Sequence, residues 1–207
     1  MEKKDLIIIS TKKMILKKGY NNTSVEDITK NLGISKGSFY TYFKSKHCVI
    51  DYILTEQLGI IDNMVKNFFE KDMTLESCIE KLVKSRIIFK EDNSIKINLL
   101  IVNLFRNLDS LSKDTLAILK ELEELNIKLI TNIILKYVKK IKGKEIDMYS
   151  KILNDIINNY KTFDLFISPK TMNFITDTRE LKNKYRDPSF QVNIEVLIKS
   201  ILKILTY

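Results

Sequence analysis

Apolar side chains recur at three- and four-residue intervals along most of the chain, the spacing of one face of an α-helix and not the alternation of a strand. In residues 6–15, Ile7, Ile8, Thr11, Met14 and Ile15 share one helical face, with the lysine pairs Lys12/Lys13 and Lys17/Lys18 outside it and Gly19 as a stop. After Tyr20, Asn21 and Asn22, the run Thr23-Ser24-Val25-Glu26 has the S/T-x-x-E form of a capping box. It predicts a helix through Ile28 to Leu32, closed by Gly33. A third short helix opens over residues 35–38, carries Phe39, Tyr40, Thr41, Tyr42 and Phe43, and stops near Lys44 and Ser45. Three short helices with a tight glycine turn between the second and third make a helix-turn-helix unit.

From residue 47 the pattern predicts longer helices. Ile50, Ile53, Leu54, Ile61, Met64, Val65 and Phe68 keep helical spacing over about 24 residues, long enough to serve as a lever leaving the head. Another helix starts at Met73 or Thr74, a shorter and very apolar one covers residues 97–108, and the longest stripe runs over residues 112–141. A helix over residues 145–166 follows, then an irregular connection over residues 167–187 with Ser168-Pro169 and Asp187-Pro188 and room for one short helical turn. In the last helix, Val192, Ile194, Val196, Leu197, Ile198, Ile201, Leu202, Ile204 and Leu205 go nearly all the way round, which demands burial on more than one side. The prediction is an all-α protein of about nine helices: a helix-turn-helix domain at residues 1–46 and a helical bundle at residues 47–207.

Composition supports this and narrows the chemistry. Only 5 glycines and 2 prolines punctuate 207 residues, too few for a turn-rich β-fold. No apolar run approaches the ~18 residues of a membrane span, and the N-terminal residues lack a signal-peptide pattern, so a cytoplasmic protein that does not enter a membrane is expected. Cys48 and Cys78 have no CxxC partner and His47 is the single histidine. That leaves little for a metal site, a disulfide framework or Ser/His/Asp chemistry. The one Gly-Lys pair, Gly143-Lys144, lacks the rest of a phosphate loop. The sequence gives no sign of an enzyme, and no cofactor or metal is expected.

The net charge of +9 is unevenly placed. Residues 1–46 hold ten lysines against four acids, an excess of +6, so the predicted helix-turn-helix carries most of the surplus and suits a polyanionic partner. In such a unit Phe39 and Phe43 would face inward with Val25, Ile28, Leu32 and Ile34, leaving Lys36, Gly37, Ser38, Tyr40, Thr41 and Tyr42 outside. Lysine can donate to guanine edges or phosphate, hydroxyls serve either, and glycine permits close backbone approach. Thr23 and Lys46 stand at helix starts, where exposed N–H groups favour anions.

Residues 18–46, KGYNNTSVEDITKNLGISKGSFYTYFKSK, combine the patterns GYxxTSVxDI, LGISKGSFY and YFxSK. This stretch resembles the DNA-binding domain of the tetracycline-repressor (TetR) family of bacterial transcriptional regulators, and the likeness covers about the first quarter of the chain. It implies DNA contacts from Thr23, Lys36, Gly37, Ser38, Tyr40, Thr41, Tyr42 and Lys46, with Tyr40 and Tyr42 on phosphates and Lys36 and Thr41 on base edges. Three positions depart from the family's habit: Thr29 for a small alanine, Ile15 for a phenylalanine, and His47 for an acid. The resemblance further implies a homodimer through the last two long helices, a double-stranded, near-palindromic DNA operator and a small-molecule effector that releases a repressor from it. For that effector the candidate contacts are Arg86, Asn103, Phe105, Arg106, Asn107, Ile133, Tyr137, Asn159 and Tyr160. Two other readings stay open: a helical small-molecule carrier or enzyme with a vestigial DNA-binding head, and an architectural DNA-binding protein without an effector.

Overall fold

The computed structural model describes residues 2–167, 175 and 178–206. In chain order the helices are α1 (Lys3–Lys18), α2 (Val25–Leu32), α3 (Lys36–Tyr40), α4 (Lys46–Lys66), α5 (Leu75–Ile87), α6 (Asp92–Phe105), α7 (Lys113–Tyr137), α8 (Lys144–Asn159), α9 (Thr178–Arg186) and α10 (Pro188–Thr206). A 3₁₀ turn, Leu108–Ser110, precedes α7, and α8 runs on into one π-helical turn, Tyr160–Leu165. The fold is all-α, with no strand among the described residues. Two compact units divide the chain: residues up to Ile60 with Asn93–Leu122, and Ile61–Asp92 with Glu123–Tyr207.

In the first unit Ile7, Thr11, Met14 and Ile15 are buried, the face anticipated for α1. Lys12 is the exception. It was expected outside but is 7% exposed, and its ammonium donates to Asn93 Oδ1 at 2.5 Å. A lysine stem can cover apolar surface while its head finds a partner; burial, aided by Lys96, lowers the Lys12 pKa. Polar ties join α1 to α2: Ser10 donates to the Ile28 carbonyl at 3.1 Å and accepts from Asn31 Nδ2 at 2.9 Å. Val49, Ile50, Ile53 and Leu54 of α4 and Ile95, Leu99 and Val102 of α6 complete the apolar interior.

In the second unit α10 packs along α5; Ile194, Leu197, Ile201 and Leu205 of α10 and Cys78, Ile79, Leu82 and Val83 of α5 are buried. The largest departure from expectation is α9, nine residues long inside what read as an irregular connection. Its sequence, TRELKNKYR, offers only Leu181 and Tyr185 as apolar anchors, one turn apart. Its attachment is mostly polar: Tyr185 Oη donates to the Ile87 carbonyl at 2.9 Å and accepts from Phe89 N at 3.3 Å. Lys184 Nζ donates to the carbonyls of Asp164, Leu165 and Ile167, satisfying acceptors where the π turn ends. Pro188 stands first in α10, where its missing N–H costs nothing. Ser168 and Pro169, also read as part of the connection, lie outside the described residues. The stripe over residues 112–141 becomes a helix ending at Tyr137; Val138 and Ile141 remain buried beyond it, so apolar spacing outlasts the helix.

Candidate nucleic-acid interface

The helix-turn-helix is built by local signals. Gly33 takes a left-handed conformation, φ 67°, which closes α2 at no steric cost. Ser35 then caps α3, its Oγ accepting from Ser38 N at 3.1 Å. Phe39 and Phe43 are buried, with Val25, Leu32 and Ile34 partly so and Ile28 fully. Opposite them Lys36, Gly37, Tyr40, Thr41 and Tyr42 are exposed and Ser38 is half-buried. This face holds six of the eight residues expected to meet DNA.

The other two are turned inward. Thr23 is 1% exposed, and its hydroxyl donates to the Gly19 carbonyl at 2.8 Å. The capping box of α2 is therefore one residue later than expected: Ser24 Oγ accepts from Asp27 N at 3.1 Å, and Asp27 Oδ2 accepts from Ser24 N at 2.9 Å. Two overlapping hydroxyl-x-x-acid frames exist here, and burial of the Thr23 methyl group selects the second. Lys46 donates to the carbonyls of Tyr20 at 2.6 Å and Thr23 at 2.8 Å, with its ammonium 4.0 Å from the Tyr20 ring centroid. It ties the loop before α2 to the start of α4, and burial lowers its pKa.

The shifted cap leaves Glu26 pointing away from the helix start. Its carboxylate pairs with Lys30 at 2.7 Å and with Lys36 at 2.9 Å, which together hold it down to about 2. His47, where the resemblance led to expect an acid, accepts or donates a 2.6 Å hydrogen bond with Tyr20 Oη through Nδ1. Tyr20 is itself buried, which, with the charge of Asp51, pushes its phenol up to about 12. Gly37 is helical with no positive φ, and a Cβ built there would meet only Ser35 Oγ, at 3.7 Å. The head's own packing therefore has room for a side chain at this position.

The candidate effector contacts are shared between the two units. Asn103, Phe105, Arg106 and Asn107 lie in the first unit. There Asn103 Oδ1 accepts from Tyr20 N at 3.0 Å, Asn107 Nδ2 donates to the Asn103 carbonyl at 2.7 Å, and Phe105 and Arg106 are exposed. Arg86, Ile133, Tyr137, Asn159 and Tyr160 lie in the second. Ile133 is buried, Tyr137 donates to the Met73 carbonyl at 2.9 Å, and Asn159 is exposed. Burial, with some help from Asp164, raises the Tyr160 pKa. Arg86 and Asn154, both buried, belong to a polar cluster with the partly buried Glu123, Asn158 and Lys161, and the sequence reading left out all but Arg86. The available signal was the polar stripe Asn154, Asn158 and Lys161, running beside the buried Leu153 and Ile157. Among the described residues no three His, Cys, Asp or Glu side chains gather to hold a metal ion, and no helix is long and apolar enough to cross a membrane.

Residues 7–52 match the family model for bacterial regulatory proteins of the tetR family. The chain is 51% identical over 49 residues to an uncharacterized HTH-type transcriptional regulator of Bacillus subtilis, YuxN, and 38% identical over 69 residues to another from the same organism, YerO. These alignments take in 24% and 33% of this chain but only 17% and 24% of the relatives' own lengths. The likeness in fold extends further. A regulatory protein of the tetR family from Rhodococcus RHA1 superposes with a TM-score of 0.66, covering 97% of this chain and 98% of that one at 18% identity. Residues 7–52 thus resemble bacterial regulatory proteins of the tetR family, and the chain as a whole shares the fold of a solved structure of that family.

Proposed function

We propose that the protein is a DNA-binding transcriptional regulator, a repressor that binds a near-palindromic operator as a dimer and is released by a small molecule. One observation carries the DNA-binding reading: Lys36, Gly37, Ser38, Tyr40, Thr41 and Tyr42 lie together on the outward side of α3 and the turn that follows. That side presents cationic, hydroxyl and phenolic donors at the lysine-rich end of the chain, the chemistry that phosphates and base edges accept. In functional terms residues 1–46 are the reading head and residues 47–207 bind the effector and dimerise, in the cytoplasm.

The dimer is supported by unpaired apolar surface on the last long helices. Met148 and Ile152 on α8, Phe163 on the π turn, and Val192 and Val196 on α10 are all exposed. Their i, i+4 spacing makes two apolar stripes that a second copy would cover in a four-helix interface. Two heads related by a two-fold axis would then enter major grooves about one turn, roughly 34 Å, apart.

The test is selection of duplexes from a random-sequence pool, followed by fluorescence anisotropy on the recovered duplex. An inverted repeat bound by a dimer is expected, with affinity falling about 10³ to 10⁵ between 50 and 200 mM salt if 6–10 phosphates are neutralised. Recovery of no preferred sequence, or a flat salt profile, refutes the reading.

A further inference from the structure

Among the described residues, two buried side-chain atoms without a hydrogen-bond partner, Arg86 Nη1 and Asn154 Oδ1, lie in a cluster drawn from α5, α7 and α8. Arg86 on α5 is 6% exposed. Its Nη2 donates to Asn158 Oδ1 at 2.6 Å, while Nη1 is buried without a hydrogen-bond partner. Asn158 in turn donates through Nδ2 to Glu123 Oε1 at 2.7 Å, and the same oxygen accepts from Asn154 Nδ2 at 2.5 Å. An asparagine therefore stands between the guanidinium and the carboxylate. A purely structural ion pair would fill both guanidinium nitrogens with the two carboxylate oxygens.

A second cation, Lys161, comes from the π turn and acts electrostatically on Arg86 and with Glu123. The buried Arg86 Nη1 leaves a hydrogen bond unmade in the interior, which is costly, and the partly buried Lys161, brought down to about 7 by burial and by the charge of Arg86, adds positive charge there when it protonates. Burial draws Arg86 down only to about 10, so it stays charged at neutral pH. The placement of Lys161 on a π turn is a further sign, since such one-residue insertions in helices concentrate at functional sites. Leu82 and Val83, one turn before Arg86, and Leu153 and Ile157, beside the asparagines, are buried and aliphatic.

We propose that Arg86 and Lys161 form an oxyanion subsite for the carboxylate of a small organic acid with an apolar body. Arg86 Nη1 donates to one carboxylate oxygen, Lys161 supplies the countercharge, and Asn158 and Glu123 hold the guanidinium in place. The inference rests on the reading of the protein as effector-controlled and gives that effector a chemical class.

The test uses the full-length protein with octanoate and benzoate, each beside its neutral amide, at fixed ionic strength. Calorimetric titration and thermal denaturation measure binding, and anisotropy follows the selected duplex. The carboxylates are expected to bind and raise Tm and the amides to do neither. Lys161→Met replaces the ammonium by an apolar chain of like length and should still fold; it is expected to weaken carboxylate binding about tenfold or more, as loss of a charged partner does. Arg86→Lys, which keeps the charge and loses the fork, is expected to weaken it as well. Carboxylates that bind no better than the amides, or that bind Lys161→Met as tightly as the unaltered protein, overturn the proposal. Carboxylate-specific binding with unchanged duplex affinity supports the subsite and refutes effector control. Release of the duplex by amide and carboxylate alike overturns the subsite and leaves effector control standing.

Discussion

Asn103 Oδ1 accepts the main-chain N–H of Tyr20 at 3.0 Å, joining the C-terminal part of α6 to the loop between α1 and α2. The two residues are 83 positions apart in the chain. A side chain that sequence reasoning assigned to an effector is thus engaged in holding the helix-turn-helix head together. Asn103→Ala leaves the Tyr20 N–H without its acceptor, and the expected loss is about 1–3 kcal/mol. Asn103→Asp keeps an acceptor and should recover much of it. Urea unfolding of the two variants checks both outcomes, and equal midpoints for Asn103→Ala and the unaltered protein would contradict the assignment.

Gly37→Ala separates folding from recognition. The position is helical and a Cβ has room, so thermal stability should be unchanged or higher, by up to about 1 kcal/mol from helix propensity. If the bare backbone is needed against DNA, duplex affinity falls all the same. Melting curves and anisotropy on one preparation give both readings.

Lys36 and Lys46 should part company. Lys36→Ala removes an exposed cation, and stability should stay within about 0.5 kcal/mol while the slope of log K against log salt drops by about 1. Lys46→Met deletes two hydrogen bonds to carbonyls and a contact with the Tyr20 ring, for an expected loss of about 1.5–3 kcal/mol. Its salt slope should be little changed. A Lys46 variant as stable as the parent, with a lowered slope, would make phosphate contact the main role of this residue.

Lys161 gives stability a pH signature. Burial and the charge of Arg86 bring it from 10.5 down to about 7 in the folded protein. Between those values the unfolded chain binds the extra proton, so stability rises as pH goes from about 7 toward 10.5. The same contribution is lost as pH falls through 7. Lys161→Met should flatten this rise, which urea midpoints collected from pH 6.5 to 9.5 would reveal.

The parts of the fold legible in the sequence are those written locally. The three head helices, the inward Phe39 and Phe43 and the outward face of α3 follow from spacing, glycine stops and hydroxyl caps within some 30 residues. Where two local signals overlapped, tertiary burial chose between them, as with Thr23 and Ser24. Lys12 and Lys46 escaped because a lysine reads as surface, whereas here distant acceptors, Asn93 and the carbonyls of Tyr20 and Thr23, draw each inward. The ninth helix escaped because Leu181 and Tyr185 are too sparse an apolar signal, and its anchors are hydrogen bonds to residues about 20 and 100 positions away. The Arg86 cluster draws on three helices, so no single stretch of sequence contains it.

Glu26 changes what it means for this head to be basic. Its carboxylate already sits against Lys36, the cation at the start of the reading helix, and against Lys30. Under the proposed function, a phosphate or base edge that engages Lys36 must displace an anion the protein carries itself, a tethered rival that added salt weakens as it does any exposed pair. If the head binds DNA as proposed, a duplex gains Lys36 at the expense of its pair with Glu26, which tempers non-specific attraction to nucleic acid. Selectivity in this head is therefore adjustable from a residue that never needs to touch DNA.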